Sequence, residues 1–327
     1  MKKFLIKTAI FFLVLATPLI VLNVLYTNTN FYRSMNELYF LKNHPQQIEL
    51  LNLGNSHEKA GLRYSRFYDG TAHNFATSSQ PFFYDYNVLR HVSDSIAPGA
   101  TVIIPVSYFD WFYNWQRLFT EDVAAYNKRY YSMLPPQYMF NYDFEEHVKY
   151  GILPVLTAKE NLKYIREDIS LPQLDAPDMR MVGDNIERVA RYKANSWKTE
   201  VMAQANTPAW EQAIADNSAS FRQIVQYCYE QGWTPVVVSL PVTDQLTALF
   251  SEEFMAEFDA VTKENVSAFP ELLYFDYSRD SRFSSNLEFF RDSDHLNSAG
   301  GDALTQQLLL DLAEHGLIVR EKLLFAQ

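Results

Sequence analysis

Two short stretches, far apart in the chain, contain residue types that can carry out chemistry together. The first is Gly54-Asn55-Ser56-His57, which follows the apolar run 48–53, and the second is Asp292-Ser293-Asp294-His295. A serine hydroxyl is a weak nucleophile that needs a base within hydrogen-bond reach, and the base needs a third group to orient it. Histidine titrates near neutrality and suits the role of base. The pattern therefore suggests Ser56 as nucleophile, His295 as base and Asp292 as the group that orients the imidazole.

Each stretch by itself also has an ordinary structural interpretation. Gly, Asn and Ser are common in the turn between a strand and a helix. An aspartate shortly before a helix often serves as its cap. In this interpretation Asp294 caps the helix that follows or faces solvent. The two stretches together are more specific than either one, because they supply a nucleophile, a base and an orienting carboxylate.

A series of short apolar runs predicts the α/β sheet that must position these residues. Runs with the length and composition of buried strands are 48–53, 73–77, 101–107, 234–241 and 272–277. Helical patterns over 84–95 and from Thr207-Pro208 onward separate strand runs, and another over 302–313 follows the last one, which indicates a parallel sheet. Ligands bind beyond the carboxyl ends of such strands, where Ser56 is expected. Pro105 cannot donate a ladder hydrogen bond, so we expect it at a sheet edge or a strand end.

The beginning of the chain has the composition of a membrane-spanning helix. Lys2, Lys3 and Lys7 precede an uncharged run over 8–26, which is long enough to cross a bilayer. The basic flank places the amino end in the cytoplasm. A cleaved signal peptide is the competing interpretation, but a cut after Ala16 would leave the apolar run 18–26 exposed. We therefore predict a signal anchor over 1–27, a juxtamembrane segment over 28–45 and a catalytic domain over 46–327.

A long insertion interrupts the predicted catalytic domain at about 111–230, where a simple crossover would need far fewer residues. Its first part is rich in tyrosine, phenylalanine and tryptophan, and 171–178 has the composition of a loop. Long insertions in compact domains are commonly lids or binding surfaces. The structural alternative is a helical layer that covers the sheet.

Composition excludes several classes of function. The net charge is −11 with 28 Lys and Arg residues, which argues against a nucleic-acid partner, since phosphates require a basic surface. Cys228 is the one cysteine, so no intramolecular disulfide forms, and its helical surroundings predict a small core residue. No Cys/His cluster has the spacing of zinc ligands. We predict neither a metal nor a cofactor.

The chain resembles the SGNH (GDSL-like) hydrolase superfamily. Gly54-Asn55-Ser56 stands where that family has Gly-Asp-Ser, and Asp292 to His295 is similar to its late Asp-x-x-His block. The stretches 51–57, 74–80 and 292–297 are similar to a membrane-anchored, cell-envelope branch. This branch includes the alginate and other exopolysaccharide O-acetyltransferases and the D-alanyl transfer protein of the teichoic-acid pathway. The resemblance covers roughly 46–115 and 230–315 and implies a three-layer, flavodoxin-like strand order.

The chain departs from the family pattern in two places. Asn55 replaces the usual Asp before the serine, and no Gly-x-Asn-Asp block is present to complete the oxyanion hole. The roles of Ser56, His295 and Asp292 carry over from the resemblance, whereas those of the oxyanion donors do not. The backbone N–H of Ser56 is the first expected donor. Ser79, after the second strand, and Ser107, at the end of the third, are the other candidates.

The resemblance implies transfer of an acyl group, acetyl in much of this branch, to an envelope or extracellular polysaccharide. A membrane-bound O-acyltransferase partner would supply the acyl group. The protein would be a single-pass protein of the cytoplasmic (inner) membrane, with its catalytic domain on the periplasmic or extracellular side. One alternative is an envelope carbohydrate esterase or deacetylase with the same triad. Another is a non-catalytic polysaccharide-binding assembly protein, which Asn55 and the missing block favour.

Overall fold

The computed structural model describes residues 1–35, 41–116, 126–167 and 186–325. The chain forms two compact units, one from residues 1–43 and 116–177 and the other from 44–115 and 178–327. The strands are β1 (Ile48–Asn52), β2 (Ala72–Asn74), β3 (Ile96–Pro105), β4 (Thr234–Ser239) and β5 (Leu273–Asp276). The predicted loop 171–178 lies outside the described residues.

The α-helices are α1 (Lys2–Thr27), α2 (Asn30–Met35), α3 (Ser56–Gly61), α4 (Phe82–His91), α5 (Phe144–His147), α6 (Tyr164–Glu167), α7 (Ile186–Ser196), α8 (Pro208–Gln231), α9 (Asp244–Thr247), α10 (Glu252–Ser267), α11 (Ser281–Ser284) and α12 (Ser298–Glu314). Short 3₁₀ segments are Tyr64–Arg66, Ser93–Ser95, Pro136–Tyr138, Pro154–Thr157, Lys159–Lys163, Met202–Gln204, Leu287–Phe289 and Arg320–Lys322. Val148–Ile152 and Trp197–Val201 are π-helical.

The five strands form a parallel sheet in the order β2-β1-β3-β4-β5. This is the flavodoxin-like order, and it confirms the predicted fold class. The register pairs Leu51 with His73 on one side and with Val102 on the other. The chain leaves β1 next to the central strand β3, where the strand order reverses. The residues after β1 therefore occupy the crevice in which such sheets bind ligands.

The central strand β3 begins earlier than predicted and contains an irregularity. Pro98 and Gly99 precede the predicted strand 101–107 but lie within β3, at a shift in the β1–β3 register. Gly99 has φ +73, a conformation that glycine adopts at little cost. Pro105 ends the strand as predicted. Neighbouring Val106 donates its N–H to Val238 O in β4, so the Pro105 nitrogen faces the β1 side. The last backbone bond from the β1 side to β3 is Leu53 N to Ile103 O, and the ladder stops where Pro105 has no N–H to donate.

Helices cover both faces of the sheet and bury its apolar side chains. On one face, α12 contributes Leu304, Leu308, Leu309 and Leu312 to a cluster with Leu50, Ile103 and Val236. Alternate residues of a strand point to opposite faces, so Leu51, Val102 and Val237 serve the other face, next to α4 and α8. Thr207 caps α8, and Cys228 in that helix is fully buried, as expected. These layers hold the strand ends rigidly beneath the site.

The first unit contains the apolar amino-terminal helix. Helix α1 is 26 residues long and contains an 18-residue stretch with a mean hydropathy of 2.4, so it is long and apolar enough to cross a membrane. Its carboxyl-terminal part packs on a segment that follows residue 150. The Asn23 side chain donates to Ile152 O at 3.2 Å and accepts from Val155 N at 3.1 Å, and Tyr26 joins a small apolar cluster with Val155 and Ala158. Beyond it, α2 occupies part of the predicted juxtamembrane segment.

Candidate active site

The turn after β1 places Ser56 at the first position of α3. Asn55 caps this helix, because its Oδ1 accepts from His57 N at 3.0 Å. Its own N–H donates to Glu58 Oε2 at 2.8 Å, which completes a capping box. An asparagine caps a helix as well as an aspartate does, so Asn55 meets the structural demand of this position. At the helix start, the Ser56 N–H has no carbonyl partner four residues earlier.

Gly54 is required by the close packing of this turn. Its φ is +119, in the region that side chains disfavour. A Cβ at this position would lie 2.5 Å from Glu58 Oε2 and 2.5 Å from Pro105 Cγ. The proline at the end of β3 therefore abuts the turn that carries Ser56. The positive φ of Gly54 and its close contacts together fix the conformation of this sharp turn.

Buried polar side chains tie this turn to the neighbouring loops. Asp85 Oδ1 accepts from Gly54 N and from Gln80 Nε2, each at 2.8 Å. Asn74 donates to the carbonyl oxygens of Glu58, at 2.9 Å, and Leu62, at 3.0 Å. Burial raises the pKa of Asp85 to about 7, against the opposing effect of its two hydrogen bonds. Burial likewise raises the pKa of Glu58.

The loop that carries His295 is closed by backbone hydrogen bonds. Phe290 and Leu296 form an antiparallel bridge, and Arg291 N donates to His295 O at 3.0 Å. Asn297 then caps α12, with its Oδ1 accepting from Ala299 N at 2.9 Å and Gly300 N at 3.0 Å. The cap of α12 is thus Asn297, and the predicted capping role of Asp294 is wrong.

The structure brings Ser56, His295 and Asp292 together, although Ser56 and His295 are 239 positions apart. His295 Nε2 lies 2.8 Å from Ser56 Oγ, and Nδ1 lies 3.0 Å from each oxygen of Asp292. Asp292 Oδ1 also accepts from His295 N at 2.9 Å, which folds the carboxylate over its own loop. Burial acts to lower the pKa of His295, but the neighbouring carboxylates outweigh it and raise that pKa. This arrangement can take a proton from the serine hydroxyl and stabilise the imidazolium that results.

Asp294 is buried beside the same histidine, which corrects the expectation that it faces solvent. It is 4% exposed, and its Oδ1 lies 3.1 Å from His295 Nδ1. Its Oδ2 lies 3.5 Å from His57 Nε2 and accepts from Tyr108 OH at 3.2 Å. The ammonium group of Lys193, on α7, donates to its Oδ1. Burial opposes ionisation of Asp294, but its histidine partners hold its pKa well below the usual value.

Sequence reasoning missed the contributions of His57, Asp294 and Lys193. His57 follows Ser56 directly. Its titratable ring next to the nucleophile was the one feature of the sequence that pointed to a role in the site. Lys193 belongs to the insertion, where nothing in the pattern distinguishes it from other helical lysines. The three donor atoms of His57, Asp294 and His295 lie within 4.8 Å of one another, as the ligands of a metal do. We assign no metal here, because the Lys193 ammonium group lies against the carboxylate they share.

The two serines proposed as additional oxyanion donors lie in different places. Ser79 lines a cavity beside Ser56 and has φ +54, a left-handed backbone that is uncommon for serine. The backbone N–H of Ser107 donates to Asp110 Oδ2 at 2.6 Å, and its hydroxyl lies 3.4 Å from His57 Nδ1. Ser107 lines a second pocket, on the other side of His57, and not the cavity beside Ser56.

The cavity beside Ser56 has a volume of about 210 Å³, and aromatic residues form part of its wall. Phe109, Tyr113, Trp115 and Trp197 form this part of the wall. Asn217, on α8, fixes the loop that carries Tyr113 by donating to Trp111 O at 3.0 Å and to Tyr113 O at 3.1 Å. Aromatic faces accept both acyl chains and sugar rings. The serine hydroxyl therefore faces a small pre-formed pocket.

Comparison with known proteins adds two distant structural likenesses. No protein-family model matches the chain, and no curated protein matches its sequence. A structure described as a platelet activating factor from Streptococcus pneumonia is 11% identical with a TM-score of 0.42, over 93% of this chain and 99% of that one. The YxiM protein of Bacillus subtilis is 11% identical with a TM-score of 0.38, over 83% of this chain and 58% of that one. At these scores neither likeness carries an argument about function.

Proposed function

We propose that this chain is a membrane-anchored, serine-dependent O-acyltransferase of the SGNH hydrolase type. It moves a short acyl group, acetyl by the family resemblance, to a hydroxyl of an envelope or extracellular polysaccharide. The observation that carries the proposal is the 2.8 Å approach of Ser56 Oγ to His295 Nε2 beside a small cavity. A nucleophile in contact with a base that a carboxylate orients is the arrangement of serine acyl chemistry.

The reaction proceeds in two half-reactions. Ser56 Oγ attacks the carbonyl carbon of the donor ester while His295 Nε2 takes the hydroxyl proton. The tetrahedral oxyanion collapses, the bond to the leaving oxygen breaks, and His295 returns the proton to that oxygen. An acceptor hydroxyl then loses its proton to His295 and attacks the acyl-serine carbon. Ser56 leaves with the proton, and the acceptor carries the new ester bond.

Stabilisation of the oxyanion comes from backbone donors. The Ser56 N–H, at the start of α3, is the first donor we propose. Ser79 is the second donor we propose, because it lines the same cavity with a left-handed backbone. Asp292 stays ionised, since its hydrogen bond to His295 outweighs burial and lowers the pKa of the carboxyl. The imidazolium formed in each half-reaction is thereby held next to a negative charge.

The aromatic residues of the cavity support a sugar acceptor, because they offer ring faces to it. Helix α1 supports retention in the membrane. Asn23 and Tyr26, in the carboxyl-terminal part of α1, contact residues 152–158 of the same unit, and cleavage after them would remove these contacts. The basic amino end supports a location of the catalytic domain outside the cytoplasm. A membrane-bound acyl donor partner would then lie within reach.

The test uses the full chain in detergent with an acetyl ester, with and without an oligosaccharide acceptor. Acetate release and acetylated sugar are measured together, and a fluorophosphonate probe reports on the serine. We expect acetylated sugar and labelling at Ser56, both lost in Ser56→Ala. The matched control is Ser267→Ala, which removes a hydroxyl from the exposed surface of α10. Acetate release without sugar acetylation would assign an esterase instead. Neither activity nor labelling would favour a binding protein.

A further inference from the structure

The histidine base has two carboxylates at one nitrogen. Asp292 lies 3.0 Å from His295 Nδ1 and Asp294 lies 3.1 Å from the same atom. A single orienting carboxylate is enough to fix the tautomer of the ring. The second carboxylate is almost fully buried and cannot be regarded as a solvated charge. It therefore acts on the charge balance of the base.

Other charged and titratable groups face His295 and its two carboxylates from every neighbouring element. On the loop of His295 itself, Arg291 Nε lies 3.8 Å from Asp292 Oδ2. His57, on α3, has its ring 4.8 Å from that of His295, and Tyr108, after β3, donates to Asp294. From α7, Lys193 contacts Asp294 and lies 3.6 Å from Asp292 Oδ1.

A general base must be neutral at the working pH, since a protonated imidazole cannot accept the serine proton. Two uncompensated carboxylates next to one histidine would favour the protonated form strongly. His57 does not offset them, because burial lowers its pKa and keeps it neutral. Tyr108 brings no charge while its hydroxyl stays protonated. The groups that can offset the second carboxylate are the two basic side chains, and only Lys193 contacts Asp294 among the described residues.

We propose that Asp294 and Lys193 are a positioning pair for the base, in which Asp294 is a second acceptor for the imidazole Nδ1–H and Lys193 cancels the charge that this carboxylate adds. The inference rests on the proposed function. It gives the insertion a defined part in the chemistry, since α7 delivers the cation. The pair does not contact substrate and acts through His295 alone.

A merely structural role for Lys193 makes a different prediction. If Lys193 only fastened α7 to the rest of the unit, its loss would lower stability and reduce turnover equally at every pH. A charge-setting role shifts the acidic limb of the pH–rate profile, which reports the pKa of the base. Removal of a cation near His295 raises that pKa, whereas removal of a carboxylate lowers it. The two single variants should therefore move the profile in opposite directions.

The experiment measures kcat/KM for an acetyl ester across pH with the full chain in detergent. It also measures the His295 pKa directly by NMR of ¹³C-labelled histidine, assigned with His295→Gln. Lys193→Gln should move the acidic limb and the NMR pKa up by about one unit, and Asp294→Asn should move both down by about one unit. The double variant should lie near the wild type. Lys193→Arg keeps the charge and should keep the profile, which covers the case in which Lys193→Gln fails to fold.

Arg191→Gln is the matched control, since it removes an exposed cation from the same helix, where Arg191 pairs with Glu187. It should leave the profile in place. The proposal is overturned if Lys193→Gln and Asp294→Asn leave the His295 pKa unchanged or shift it in the same direction. The NMR measurement needs no turnover, so the pair is tested even if no ester is cleaved. Turnover that survives Ser56→Ala would refute the proposed function, whereas the role of Asp294 and Lys193 is decided by the NMR measurement.

Discussion

Replacement of Asp85 by asparagine should make the protein more stable at alkaline pH than the wild type. The Asp85 carboxyl is 2% exposed and accepts from Gly54 N and Gln80 Nε2. Burial raises its pKa from 3.8 to about 7, against the effect of these two hydrogen bonds. The amide of the variant would keep an acceptor oxygen for both donors but could not ionise. The variant therefore isolates the free energy of burying the charge.

The size and sign of the effect follow from proton linkage. Below about pH 4 the carboxyl is protonated in both the folded and the unfolded chain and brings no penalty. Between pH 4 and 7 the unfolded chain ionises while the folded one still binds the proton, so the free energy of unfolding falls. A shift of about three pH units at about 1.4 kcal/mol per unit gives a loss of about 4 kcal/mol by pH 8. Asp85→Asn escapes that loss.

The assay is urea unfolding of the full chain in detergent, followed by tryptophan fluorescence at steps between pH 4 and 8. The quantity of interest is the difference in unfolding free energy between variant and wild type, which should rise by about 4 kcal/mol over this range. Glu264→Gln, on the exposed face of α10, controls for the change in net charge. The reasoning is refuted if the difference in unfolding free energy does not change with pH, or if it shifts in favour of the wild type as pH rises.

Three further predictions concern the triad, the nucleophile turn and the anchor. Ser56→Ala and His295→Ala should each lower ester turnover by about 10³-fold or more, and the double variant should lose little beyond either one, with melting transitions unchanged. Gly54→Ala should cost about 2–3 kcal/mol in urea unfolding, from its positive φ and two close contacts, whereas Gly99→Ala, with φ +73 and open space around it, should cost about 1 kcal/mol. A carboxyl-terminal reporter should be accessible only from outside the cell and pellet with membranes, and recovery of a soluble form lacking α1 would identify a signal peptide.

The sheet and the core of the site could be predicted because their signals are local. A buried parallel strand is a short apolar run, and the residue that ends it must lie at the edge where ligands bind. Ser56 and the Asp292–His295 spacing are both visible in a few adjacent residues. The start of β3 could not be predicted in the same way. The irregularity at Gly99 extends this strand through residues that are typical of a turn.

The charges around the base could not be predicted, because they depend on tertiary placement. Asp294 has the same local surroundings whether it caps α12 or turns inward, and the choice is made by Asn297, which takes the cap. Lys193 reaches the site only because α7 packs beside α9, and nothing near it in the sequence specifies that contact. Ser107 follows its strand as expected, yet its N–H is already bound to Asp110.

The separation of Ser56 from His295 has a consequence for the time at which the protein becomes reactive. The serine is made early and the histidine 239 residues later. At typical rates of synthesis this interval lasts roughly 10–50 s. Throughout it, the nascent chain carries a nucleophile with no base, and the hydroxyl is as inert as that of any other serine. Under the proposed function, the chain therefore cannot acylate itself or consume donor while it is being made. Activity would begin only when the loop of His295 docks on the turn that carries Ser56.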